Sequence, residues 1–232
     1  MGIRTLVLGV VAVWLGPMSV AQEVHFSLPG AEKTTSQQLQ HGWDLVEARR
    51  PDQALATANM LLFEGPIRVY SESSAFDRRA ERIDDLIQRA VLIWSQALGE
   101  PIPVQRVSDS RTAQVTARMM NEIRLKGRPV AGFTTWSRWS RPDDVGVRAD
   151  VSLALQGAQG QGLSYEAMLH AALHEVGHVL GLDDGDPGGV MGLLNPLRPV
   201  TVPSKQEVQV LRTIRAQSRK LRDAARLWMG PG

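Results

Sequence analysis

Three of the five histidines, His170, His174 and His178, fall within nine residues, and two of them bracket a carboxylate in the run His174-Glu175-Val176-Gly177-His178. On a helix, residues four apart lie one above the other, so both imidazoles face one point. That spacing lets two neutral imidazole nitrogens share a zinc ion and leaves Glu175 beside it to take a proton from bound water. Gly181 comes three residues after His178. Glycine adopts positive φ readily, so it can end the helix and turn the chain back toward the ion. A third ligand can then arrive from the loop at Asp184, since carboxylate oxygen is an ordinary zinc ligand. Asp183 and Asp186 stand beside it as alternatives, although such residues more often form turns. His170 lies one turn before His174 on nearly the same face, which is awkward for ligation. It reads either as a support at the pocket edge or as plain packing. Glu207 is the one acid within reach for a layout that takes its third ligand from a second helix, but it falls in a capping box and Gly181 interrupts the supporting helix.

These residues need a scaffold, and 232 residues suffice for one or two domains with their own core. The chain has no cysteine, which rules out disulfide scaffolds, thiolate metal sites and a thiol nucleophile. A formal charge of +2 and only 5% aromatic residues speak against a nucleic-acid partner. Residues 1–21 combine Arg4, an apolar run and Ser19-Val20-Ala21, the pattern of a cleaved secretory signal. Export to the extracellular space, the periplasm or the cell envelope is therefore expected, with a retained anchor as the alternative. Residues 22–65 form a second segment. Two helices are expected between about residues 36 and 63, broken at Arg50-Pro51. This hairpin is similar to one tetratricopeptide unit, yet no second copy follows. It must pack on the next domain or serve as a pro-segment. After Glu64-Gly65-Pro66, a strand is expected at 67–70. A long helix is expected at about 75–98, capped by Ser74 with Asp77, with Ile83, Ile87, Ala90, Trp94 and Ala97 forming its apolar stripe. Candidate strands follow at 104–107, 113–119, 130–136 and 147–155, then the helix carrying the histidines at 164–180 and a last helix opened by Ser204 and Glu207. Residues 205–226 hold seven basic and two acidic side chains. The segment 218–232 is set apart as a basic tail, either solvated or touching an anionic cell wall or membrane.

Met191, in Gly188-Gly189-Val190-Met191-Gly192, lies seven residues beyond Asp184. Together with the run from His174 through Gly181 to Asp184, it resembles the metzincin metalloproteases, whose motif places a third ligand after the glycine and a methionine turn beneath the zinc. The order of elements over residues 66–217 is similar to that of matrixin catalytic domains. The resemblance implies an α+β, zincin-like fold: a twisted mixed β-sheet packed on a long helix and on a zinc-binding active-site helix, here with an added N-terminal helical hairpin. It implies one catalytic Zn2+ on His174, His178 and Asp184, with Glu175 as general base and Met191 as the floor of the site. It also places residues 130–136, centred on Gly132, Phe133 and Thr134, where an edge strand pairs with extended substrate; an ordinary sheet strand is the alternative. Calcium follows by family analogy alone, because no calcium-loop spacing is present.

The chain departs from the matrixin pattern. Asp184 replaces the third histidine, as in secreted bacterial proteases of the snapalysin type, and a carboxylate ligand makes bound water a weaker acid. No tyrosine follows Met191 to assist an oxyanion, and without cysteine no thiol can guard the site. The expected function is an exported zinc endopeptidase acting as a monomer on protein or peptide substrates. The alternative is a non-proteolytic, zinc-containing binding module of the same fold.

Overall fold

Pro51 has no amide hydrogen to donate, which costs nothing in a first helical turn, and it separates α1 (Lys33–Glu47) from α2 (Pro51–Leu62). The two helices form the expected hairpin, burying Leu39, Leu45 and Val46 on one side and Ala54, Ala58 and Leu61 on the other. A computed structural model of the chain describes residues 28–63, 65–72, 79–141 and 144–229. The expected signal at 1–21 and the expected cap at Ser74 and Asp77 lie outside these residues.

The short strand β1 (Ile67–Ser71) alternates as a half-buried strand should, with Ile67, Val69 and Ser71 facing inward. It is followed by α3 (Arg79–Leu98). There Ile83, Ile87, Ala90 and Trp94 of the expected stripe are all 1% exposed or less. The strands β2 (Val104–Arg106), β3 (Val115–Met120), β6 (Gly132–Arg141) and β7 (Asp144–Ala154) complete a five-stranded sheet in the order β2-β1-β3-β7-β6. Three neighbouring pairs are parallel, and only β6 runs antiparallel to β7. This is a mixed α/β arrangement with a mostly parallel sheet, compatible with the α+β expectation. The segment expected as one strand at 130–136 divides into two elements. A two-residue turn at Lys126-Gly127, both with positive φ, joins β4 (Ile123–Leu125) to β5 (Arg128–Val130) in a small separate hairpin, and β6 begins afresh at Gly132.

Two helices complete the chain. The first, α4 (Tyr165–Leu180), starts at Ser164, whose hydroxyl accepts from the Ala167 N–H at 3.1 Å. Trp94 of α3, fully buried, donates its indole N–H to the Leu173 carbonyl at 3.0 Å, fastening α4 to the core. The second, α5 (Lys205–Met229), opens with the expected capping box. The Ser204 hydroxyl accepts from the Glu207 N–H at 3.2 Å, and the Glu207 carboxylate accepts from the Ser204 N–H at 2.6 Å.

The boundary expected at 217/218 falls inside α5, which continues unbroken to Met229. Its buried face repeats at helical spacing through Val208, Leu211, Ile214, Ser218, Leu221 and Ala225. Leu221 and Ala225 form one apolar cluster with Leu45, Val46, Ala54 and Ala58 of the hairpin. The first part of residues 218–232 is thus a packed half-helix rather than a separate tail, because an apolar stripe underlies its basic face. Arg215 uses that face to hold the Leu62 carbonyl at 3.0 Å and the Glu100 carboxylate at 2.8 Å. Replacing Leu221 by Ala should therefore lower stability by about 2–4 kcal/mol through the cavity it leaves, read as a shifted midpoint in urea unfolding. A solvated tail would show no shift.

Candidate metal centre

The site begins with α4, on which His174 and His178 stand one turn apart, their ring centroids 4.7 Å from each other. Each ring is oriented through its Nδ1. That of His174 lies 3.1 Å from the Val190 carbonyl, and that of His178 lies 2.9 Å from the Leu182 carbonyl. A carbonyl can only accept, so each Nδ1 carries the hydrogen and each Nε2 presents a lone pair. The two Nε2 atoms are 3.1 Å apart. Burial, and after it the neighbouring His178, pushes the His174 pKa below the usual histidine range, which favours the neutral, ligating form.

Gly181 caps α4 with φ 106°, and its N–H bonds back to the His178 carbonyl at 3.0 Å. The chain then reverses and brings one carboxylate oxygen of Asp184 to 3.3 Å from His174 Nε2 and 3.5 Å from His178 Nε2. The neighbouring acids are otherwise engaged. Asp183 accepts from the Asp184 N–H, and Asp186 accepts from the Gly188 N–H, each at 2.9 Å. Of the three candidates for the loop ligand, geometry brings Asp184 to the histidines. Among the described residues, His174, His178 and Asp184 are the one group of such side chains close enough to share an ion. Two lone pairs and a carboxylate converging without a hydrogen between them repel unless a cation lies among them, so the donor set suits a divalent metal.

Glu175 is buried, 5% exposed, and it lines the same cleft as the two histidines. Burial raises its pKa to about 7; the Thr134 hydroxyl pulls it down and the Asp184 charge pushes it further up. Gly132 of β6 passes so close that a Cβ there would stand 2.4 Å from the Glu175 carboxylate. Glycine is the residue that admits this approach. Gly132, Phe133 and Thr134 therefore form the strand above the carboxylate, at the edge of the sheet where β6 has only β7 beside it. The cleft encloses about 520 Å³ and adds Leu125, Leu163, Leu193 and Leu194 to its walls. No residue of the hairpin at 28–63 lines it.

Beneath the histidines, Met191 is 1% exposed and its sulfur packs where Gly177 has no side chain; a Cβ on Gly177 would lie 2.3 Å from it. Met191 is thus the floor under α4. Gly177, inside the histidine motif, is a contributor that the spacing alone did not reveal. The Met191 N–H donates to the Glu207 carboxylate at 2.7 Å. Glu207 is accordingly no ligand: it caps α5 with one oxygen and anchors the methionine turn with the other. Its double role was hidden because 16 residues separate it from Met191. His170 lines the cleft but bonds to the segment ahead of α5 rather than to a ligand, its Nδ1 accepting from the Val200 N–H at 2.9 Å.

No family model matches the chain, and no curated protein matches it. Glu207→Ala would leave the buried Met191 N–H without its acceptor and remove half of the capping box. It should cost about 1–3 kcal/mol for each orphaned donor, measured by chemical denaturation of the metal-free protein.

Proposed function

We propose that this chain is a zinc-dependent endopeptidase with a zincin-like fold, similar to the metzincins. The observation that carries the reading is the triangle of donor atoms with sides of 3.1, 3.3 and 3.5 Å on His174, His178 and Asp184. A tetrahedral zinc with ligands at about 2.0–2.1 Å has edges of about 3.3 Å, so these donors fit that ion with little movement. When bound there, zinc supplies a Lewis acid that polarises the scissile carbonyl and acidifies a bound water.

The protein's own groups do the rest. Glu175, buried beneath Gly132 and lining the cleft beside the two histidines, accepts the water proton and hands it to the leaving amine, the role of a general base. The free edge of β6 at Gly132, Phe133 and Thr134 offers backbone groups that can pair with an extended peptide, and the apolar wall of Leu125, Leu163, Leu193 and Leu194 receives its side chains. Export by the leader at residues 1–21 belongs to the same proposal and makes proteins outside the cytoplasm the substrate class. No described helix is long and apolar enough to cross a membrane.

Purified protein should contain about one zinc per chain and cleave unfolded casein, and a chelator should abolish the cleavage. Glu175→Gln should keep the zinc while losing about 10²–10⁴-fold in rate. Zinc bound without cleavage by the wild type would favour a binding module, and undiminished activity in Glu175→Gln would overturn the mechanism.

A further inference from the structure

Residues 30–32 lie against the loop that delivers Asp184. Ala31 and Leu182 form an antiparallel bridge. On one side of it the Glu32 N–H donates to the Gly181 carbonyl at 2.9 Å, and on the other the Asp183 N–H donates to the Gly30 carbonyl at 3.0 Å. The backbone on both sides of Leu182, whose own carbonyl orients His178, is therefore tied to the N-terminal segment. Asp184 itself has a side chain 80% exposed, so little surrounds it to hold it in place. Its position depends on how firmly that preceding turn is held.

A buried cation completes the arrangement. Arg138 of β6, with its side chain only 3% exposed, donates to the Val179 carbonyl at 3.0 Å and to the Thr35 hydroxyl at 2.8 Å. Its guanidinium rests 4.3 Å from the centre of the Trp136 ring. Val179 lies in the last turn of α4, where carbonyls lack helical partners and a positive charge is favoured. Burial lowers the Arg138 pKa to about 10, with Glu32 opposing the shift, so it is still a cation at neutral pH. The Glu32 carboxylate stands 3.7 Å away. The group of Glu32 that bonds to the turn after α4 is its backbone N–H rather than its carboxylate.

We propose that residues 30–35 and Arg138 act together as a positioning clamp for the third metal ligand, which makes the N-terminal segment a permanent part of the metal centre rather than a removable pro-segment. The proposal rests on the metal-binding reading above. Its location agrees with the cleft, which the hairpin leaves open, and with the apolar cluster that joins the hairpin to α5.

The test is zinc affinity of the full chain, measured by competition with a chromogenic chelator, beside thermal unfolding of the metal-free protein. Glu32 has φ −59°, a value proline adopts unstrained, so Glu32→Pro deletes the N–H bonded to Gly181 while fitting the backbone. Arg138→Lys keeps the charge but loses the fork that spans two acceptors. Both variants should bind zinc about 10–100-fold more weakly, as loss of groups supporting metal ligands does elsewhere. Glu32→Gln, which keeps the N–H, should stay near wild type, and all three should unfold cooperatively without metal. Wild-type affinity in folded Glu32→Pro and Arg138→Lys would overturn the clamp. Loss of the cooperative fold in both would overturn it as well, because the segment would then be general scaffolding. A wild-type protein that binds no zinc would instead refute the peptidase reading on which the clamp depends.

Discussion

Two hydrogen bonds from ring nitrogen to backbone carbonyl govern the centre of this molecule. Because Val190 and Leu182 each accept from an Nδ1, both imidazoles are committed to one tautomer and their Nε2 lone pairs are aimed at each other. Such an arrangement stores repulsion in the absence of a cation and releases it when one binds. The two acceptor carbonyls lie on loops, and a loop holds a carbonyl in place only if something holds the loop.

That support comes from opposite ends of the chain. Val190 precedes Met191, whose amide is bound by Glu207 at the start of α5. Leu182 is bridged to Ala31 just before α1. The N- and C-terminal helices thus each steady one of the histidine-orienting carbonyls, and they pack on each other through Leu221, Ala225, Leu45 and Ala54. The apolar cluster that joins the terminal helices also keeps together the segments that anchor the two histidine-orienting loops. The buried tryptophan of α3 contributes from the third side by holding α4 through the Leu173 carbonyl.

Much of the scaffold was legible in local signals. Pro51, the stripe from Ile83 to Trp94, the Ser204–Glu207 box and Gly181 each act over four residues or fewer, or over one helical face, and each element formed near its expected place. Less legible were features that join distant residues. The packed course of α5 beyond residue 217 was obscured by its basic composition, since seven cationic side chains over 205–226 mask an apolar stripe of smaller and more widely spaced residues. The break between β5 and β6 escaped because Ala131 and Gly132 do not interrupt an apolar run, although Gly132 is where the strand must come within contact of Glu175.

The spacing of His174, Glu175, His178 and Gly181 by itself determined which side chains share one end of a helix and where that helix stops, because helical pitch and the positive φ of a glycine are local properties. It also limited the chemistry to imidazole and carboxylate, since the chain has no thiol. Only the tertiary structure decided which of three neighbouring aspartates turns toward the histidines, which tautomer the rings adopt, and that Glu207 binds the Met191 amide while Arg138 binds the Val179 carbonyl. Those outcomes depend on carbonyls and amides far away in sequence, and a carbonyl's direction is set by the packing of whole elements, which no spacing along the chain encodes.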